Sequence, residues 1–277
     1  MNDSDLHGYD YRLFEPSPVS ELAKAVEAED VKEMFRIVRE GNVDIDHQEP
    51  KFGNTLLMLT VMNLQYASCK TLLELGADPN KHNTYDGSTA LIQAAAIDNR
   101  DGDNSAFLKL LIKHGADVNE VETGDREVGN SIRKSPLLVA CSDVSQAGSP
   151  IDKVKLLVEA GADVNYQDEF NHFPLREALI QKHYDVVLYL LQRGADYNRM
   201  LFDRGDFQEN GKKIYIADIL REQLSPLGSP QHKMKMKIVN FLKAKGIDYR
   251  EVPIPDFVVR KVKEVYPHNW QEYLEKY

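Results

Sequence analysis

Catalysis and metal binding need acids, bases, nucleophiles or ligands at workable spacing, and the candidates in this chain can be tested in turn. Eight histidines are scattered along it. His114 stands just before Gly115 at a loop-side position, and His172 and His183 have no cysteine or carboxylate at metal-ligand spacing. The run Asp98-Asn99-Arg100-Asp101-Gly102-Asp103 invites comparison with a calcium loop. Such a loop needs Gly at its sixth position and Glu at its twelfth, and no register from Asp98, Asn99 or Asp101 supplies both. The run reads as a solvated acidic turn. No glycine-rich phosphate loop, Gly-x-Ser-x-Gly or His-Glu-x-x-His is present. The pairs Asp78/Asn80, Asp117/Asn119, Asp163/Asn165 and Asp196/Asn198 recur once per stretch of similar sequence, which marks a structural duty rather than carboxylate catalysis. Metal and cofactor are both expected to be absent.

The segment His232-Lys233-Met234-Lys235-Met236-Lys237 would attract a polyanion or an anionic membrane surface. Yet Met234, Ile238, Phe241 and Leu242 share one helical face, which leaves the lysines mostly on the solvated side. No aromatic platform for stacking bases accompanies them, so nucleic acid is disfavoured.

Charge is unevenly spread. The net charge is −10, but residues 1–130 carry 12 Lys/Arg against 24 Asp/Glu, and residues 131–277 carry 22 against 20. Residues 231–263 hold nine basic and three acidic side chains. An acidic front half points to a protein partner with basic and apolar surface, and away from nucleic acid. No stretch approaches 18 apolar residues, so no membrane span is expected. Met1 to Tyr11 lacks a basic and then apolar leader pattern and does not read as a secretion signal. Cys69 and Cys141 are too few for a disulfide framework. A reducing, cytoplasmic setting is expected, with Cys141 a buried thiol behind Ala140 in an inner helix.

The elements that must position any site are repeated ones. A phrase of the form Leu-Leu-x-x-Gly-Ala-Asp-x-Asn occurs at Leu72–Asn80, Leu110–Asn119, Leu156–Asn165 and Leu190–Asn198, with degenerate copies at Val38–Asp46 and Phe241–Arg250. Each copy follows two helical patterns. The inner one opens with Thr55-Leu56-Leu57-Met58-Leu59-Thr60, Thr89-Ala90-Leu91-Ile92-Gln93-Ala94, Ser135-Pro136-Leu137-Leu138-Val139-Ala140 or Phe173-Pro174-Leu175-Arg176-Glu177-Ala178. Thr or Ser there caps free amides, and Pro in the first turn loses no needed hydrogen bond. The outer one carries apolar pairs such as Leu72-Leu73 and Leu190-Leu191. It ends at Gly76, Gly115, Gly161 or Gly194, which accept the left-handed turn that closes a helix.

These residues resemble the ankyrin repeat, whose motif is Thr-Pro-Leu-His-x-Ala at a period of about 33. The resemblance spans roughly residues 19 to 250. Met58, Ile92, Leu138 and Arg176 replace the family's usual histidine, which removes a capping hydrogen bond from those units. The implied fold is all-α: an ankyrin repeat solenoid of helix-turn-helix units with β-hairpin-like finger loops, about six units with divergent caps. An N-terminal arm is expected over 1–18, the repeat domain over 19–251 and a helical extension over 252–277. The arm, with Tyr9, Tyr11, Phe14, Pro16 and Pro18, reads as extended and lying along the first repeat.

Departures from regular spacing stand out. The interval from the motif's small residue to the terminal Gly is 16 at Ala25–Gly41, Thr60–Gly76 and Ala178–Gly194. It grows to 21 at Ala94–Gly115 and Ala140–Gly161 and to 29 at Ala217–Gly246. Insertions at Asp98–Asp103, Ser142–Pro150 and Leu224–Gln231 account for this, and two fingers are lengthened at Glu120–Lys134 and Arg199–Lys212. Long loops on a rigid frame are where binding residues gather.

The resemblance implies a non-catalytic module that binds another protein, with no small-molecule substrate, and inhibits or scaffolds it. Ankyrin domains bind through finger tips and the exposed, concave side of the inner helices. Carried over to this chain, the fingers offer Lys51, Phe52 and Asn54; Tyr85, Asp86 and Ser88; Ile132 and Lys134; and Glu169, Phe170 and His172. The inner-helix ends offer Met62, Ile97, Asp143 and Ile180. A sharper version is an immunity-type inhibitor that occludes a toxin or enzyme with an acidic concave face. An enzyme built on the inserted loops would need Asp143, Glu169 and His172 in one closed pocket, and nucleic-acid binding would fall on residues 231–263.

Overall fold

The inner helices start where their capping residues stand. Thr55, Thr89 and Ser135 each accept a hydrogen bond from the main-chain N–H three residues on, at Met58, Ile92 and Leu138. At the fourth motif Phe173 contributes no such bond, and Pro174 in the first turn sets the backbone instead. The computed structural model describes residues 6–97, 103, 105–124, 133–143, 149–203 and 213–277.

The chain divides into two compact units, Met1–His172 and Phe173–Tyr277. The first holds four helix pairs: α1 (Ser20–Glu27) with α2 (Val31–Glu40), α3 (Leu56–Met62) with α4 (Tyr66–Glu74), α5 (Ala90–Ala95) with α6 (Ala106–Lys113), and α7 (Pro136–Cys141) with α8 (Ile151–Glu159). Inner helices α3, α5 and α7 pack in succession, and so do outer helices α2, α4, α6 and α8. The second unit holds α9 (Pro174–Ile180) and α10 (Tyr184–Gln192), then a two-residue antiparallel pair of β1 (Phe202–Asp203) and β2 (Lys213–Ile214). It continues with α11 (Ile216–Glu222), α12 (Pro230–Ala244), α13 (Asp256–Val265) and α14 (Trp270–Lys276).

Burial follows the repeat. Leu56, Leu57, Leu59, Leu72, Leu91, Leu108, Leu137 and Leu157 are all within 1 % of full burial, and each such side chain contributes about 1.5–3 kcal/mol. Met58, Ile92 and Leu138 join them, so three of the four positions that lack the family histidine are apolar core. Arg176 takes another route: its Nε donates to the Leu201 carbonyl at 3.1 Å and its guanidinium lies 4.5 Å from the Phe202 ring. Outer helices end as expected. Gly76 has φ +98°, a value that costs a residue with a Cβ, and the following Ala77 N–H donates to the Leu72 carbonyl.

The ends of the chain depart from the simplest reading. The arm is not extended throughout, because Tyr11–Phe14 form a 3-10 turn whose Tyr11, Leu13 and Phe14 are buried. At the other end Tyr273 and Tyr277 pack with Val258 and Val262 in a small core. The Tyr277 hydroxyl reaches the carbonyls of Leu220, Arg221 and Gln223 at the end of α11. Lys235 is a further exception. It is fully buried, its Nζ 3.0 Å from the Gln223 carbonyl and 3.7 Å from the Tyr277 ring centre, while Lys233 and Lys237 lie exposed. Burial, then the charge of Arg221, pushes its amine down to about 6.

Candidate functional site

Each finger of the first unit closes with one main-chain bond at its base. Glu49 N–H donates to the Asn54 carbonyl, Asn83 to Ser88, Glu122 to Lys134 and Asp168 to His172. The first residue of each pair then turns its side chain inward as an acceptor for the loop it opens. The Glu49 carboxylate takes the N–H groups of Lys51, Phe52 and Asn54, at 2.7 to 3.1 Å. Asn83 Oδ1 takes Asp86 and Gly87, Glu122 takes Lys134, and Asp168 takes Phe170 and His172. All four acceptors are buried. They tie the described loop amides to the finger bases, which lowers the conformational entropy these loops have left to lose. Their spacing before each motif was legible, but a polar residue in a loop carries no mark of burial.

Neighbouring fingers are fastened by backbone. The N–H groups of Thr84 and Tyr85 both donate to the Phe52 carbonyl, and Gly124 N–H donates to Asp86. The approach is closest at Gly87, where an added Cβ would stand 2.1 Å from the Gly124 nitrogen.

Beyond these tied bases stand the side chains of the tips. Tyr85 is 61 % exposed and meets the half-buried Phe52 ring edge-on, with centroids 5.6 Å apart. Lys51 Nζ lies 5.1 Å from the same Phe52 ring. Lys51, Phe52 and Tyr85 thus form one group across two fingers. Phe170 is 48 % exposed on the fourth finger, beside exposed Glu169 and half-buried His172. Asp86 and Lys134 are half-buried, and Lys134 pairs with buried Glu122 at 3.5 Å. Burial raises the Glu122 carboxyl, which the Lys134 charge opposes.

Other proposed contacts are placed differently. Asn54 and Ser88 are buried and work between fingers: Asn83 Nδ2 donates to Asn54 Oδ1, and the Ser88 hydroxyl reaches Glu122. Ser88 is thereby withdrawn from the tip surface and corrected, while Asn54 is buried as a residue and keeps only its Nδ2 turned outward, towards the Gly8 carbonyl. Ile132 lies outside the described residues. So does most of Asp98–Asp103, of which only Asp103 is described. Ser105 and Lys109 bond its carboxylate and hold it down at about 2.

At the inner-helix ends, Met62 is half-buried and Ile180, in the second unit, is 36 % exposed. Ile97 and Asp143 meet on Lys153, a buried outer-helix residue that pattern reading passed over. Lys153 Nζ donates to the Ala95 and Ile97 carbonyls at 3.2 and 2.5 Å and lies 3.5 Å from Asp143 Oδ2. It satisfies carbonyls that the end of α5 leaves open.

The Asp and Asn pairs do structural work. Asp78, Asp117, Asp163 and Asp196 each accept from the N–H of the Asn two residues on. Near them a cleft of about 350 Å³ is lined by Val118, Asn119, Ser135, Leu137, Ala162, Asp163 and Tyr166. Asp143, Glu169 and His172 do not line it. Among the described residues no group of His, Cys, Asp and Glu is arranged to hold a metal ion, and no helix is long and apolar enough to cross a membrane.

Comparison with known proteins agrees with this geometry. The family model for ankyrin repeats (3 copies) matches residues 22–122 and again 100–200. The human transient receptor potential cation channel subfamily A member 1 is 27 % identical over 183 residues, which cover 65 % of this chain and 14 % of that one. Alpha-latrocrustotoxin-Lt1a of Latrodectus tredecimguttatus is 38 % identical over 117 residues, 42 % of this chain and 7 % of the toxin. The chain therefore spans a small part of these relatives. Among solved structures, the ankyrin repeat protein EF0377 superposes with a TM-score of 0.53 at 22 % identity, covering 80 % of this chain and 97 % of that one. At that identity the likeness speaks for the fold. With more than half its length matched by the family model and its capped helix pairs, glycine turns and stapled fingers all in place, the chain belongs to the ankyrin repeat family.

Proposed function

We propose that this chain is a non-catalytic binding module whose first unit grips another protein through its finger tips and inner-helix ends. The observation that carries this reading is the Phe52–Tyr85 pair, in which exposed Tyr85 stands against half-buried Phe52 with buried acceptors behind both. Aromatic side chains on rigid frames make the centres of protein interfaces. Phe170 supplies a second such anchor.

Charge supports the choice of partner. Residues 1–172 carry 30 Asp/Glu against 16 Lys/Arg. A partner with basic and apolar surface meets this unit favourably, and a polyanion does not. Inhibition of an enzyme or toxin by steric cover is the sharper form of the proposal. The buried thiols of Cys69 and Cys141 fit a reducing, cytoplasmic setting.

The test is capture of the native partner, followed by Tyr85→Ala combined with Phe170→Ala. Capture should be lost while helical signal and melting stay unchanged. Unchanged capture, or a collapse of folding, would refute the role given to these rings.

A further inference from the structure

Residues 6–9 cross the second repeat along the face that runs from the first finger to the end of the inner helix α3. Their main-chain carbonyls are taken one after another by side chains of that repeat. Lys51 Nζ donates to Leu6 at 2.9 Å, Asn54 Nδ2 to Gly8 at 3.1 Å and Asn63 Nδ2 to Tyr9 at 2.8 Å. Lys51 and Asn54 belong to the first finger, and Asn63 ends α3. A line of donors that reads carbonyls is how a groove holds an extended peptide, because main-chain bonds supply affinity whatever the guest's side chains.

The grip on this stretch is light. His7 and Tyr9 are exposed and stack on each other, with centroids 5.4 Å apart. Gly8 faces Asn54 and Phe52, and a Cβ added there would sit 3.4 Å from Asn54 Nδ2 and 3.8 Å from the ring, both ordinary contacts. The groove beside Phe52 thus accepts more than glycine. Tyr11, Leu13 and Phe14 are buried, so the arm is anchored behind residue 10 and can lift ahead of it without opening the core.

We infer that the groove between the first finger and the end of α3 is a binding site for an extended polypeptide segment. In the free chain its own residues 6–10 fill that site, and a partner's segment replaces them. This rests on the protein-binding reading above and adds the shape of the guest. The guest is extended, presents carbonyls in the register of Leu6, Gly8 and Tyr9, and places an apolar side chain where Gly8 now meets Phe52. A tethered competitor lowers apparent affinity by the fraction of time it occupies the groove.

The probe is a fluorescent peptide of residues 1–10 of this chain, titrated against the full chain and against a chain lacking residues 1–9. Saturable binding to the shortened chain is expected, with binding to the full chain at least about tenfold weaker, a modest gap for three hydrogen bonds. Lys51→Ala with Asn63→Ala in the shortened chain should weaken binding at least about fivefold. Absence of saturable binding by a shortened chain with unchanged helical signal overturns the inference, as does equal binding by the full chain or indifference to the double substitution. Should shortening impair folding, the full chain gives a second readout. There, Lys51→Ala with Asn63→Ala should speed chymotryptic cleavage after Tyr9 at least about fivefold, and an unchanged rate refutes the strap. The native partner takes no part in these measurements, so their failure leaves capture by Tyr85 and Phe170 standing, and the reverse holds too.

Discussion

Asn80 holds Asp117 of the next repeat with one end of its amide and completes the link with the other. Its Oδ1 accepts from the Asp117 N–H at 2.8 Å, and its Nδ2 donates to the Gly115 carbonyl at 3.0 Å. Asn119 repeats the arrangement with Asp163 and Gly161. Asn80→Ala should cost about 1 kcal/mol in urea unfolding, the usual worth of such bonds near the surface. Asn80→Asp should cost at least as much at neutral pH, because a carboxylate would then face the Gly115 carbonyl. A neutral effect of both would mean that water replaces the link.

The finger staples make a larger claim. Glu49 is 1 % exposed and accepts from three main-chain N–H groups. Glu49→Ala leaves those donors open and should cost about 2–3 kcal/mol, the scale of lost charge-assisted bonds. Amide exchange at Phe52 and Asn54 should quicken more than exchange in α3. Uniform quickening along the whole chain would show that Glu49 serves global stability and not the tip.

Association with the partner should depend on salt. The acidic first unit attracts a basic surface over roughly a Debye length, about 10 Å at 0.1 M salt. Raising sodium chloride from about 0.05 to 0.5 M should slow association about tenfold or more and change dissociation little. Stopped-flow or surface-based kinetics with the captured partner reads both rates. A salt-indifferent association rate would remove charge from the recognition.

Lys235 links stability to pH. Its amine is pushed down to about 6 in the folded chain, from the 10.5 of an unhindered lysine. Between these values the unfolded chain binds a proton that the folded chain lacks, so stability rises with pH across that window. The slope from this group reaches about 1.4 kcal/mol per pH unit. Lys235→Met should flatten that rise. Its gain should be largest at and below about pH 6 and fade towards pH 10. Denaturant unfolding at several pH values checks this, and parallel curves for the two proteins would exclude the buried amine as the cause.

The positions of the helix pairs and their glycine turns were determined by the sequence alone, because the forces that place them are local. Thr55, Thr89 and Ser135 cap helices that start beside them, and Gly76 closes a helix that ends beside it. Repetition made those signals legible several times over. The candidate surface was legible only in part. Phe52, Tyr85 and Phe170 stand out in the sequence as aromatic residues at loop positions, and the fold leaves Tyr85 and Phe170 exposed and Phe52 half-buried. Asn54 and Ser88 occupy similar loop positions, yet the fold buries them between fingers. Exposure depends on what a neighbouring repeat places opposite, and sequence spacing does not carry that. The same holds for Lys153 and Lys235, which look like solvated lysines until packing brings the Ala95, Ile97 and Gln223 carbonyls within reach. The course of residues 6–9 was likewise decided by tertiary structure, since Lys51, Asn54 and Asn63 meet those carbonyls only once the first finger and α3 have folded together.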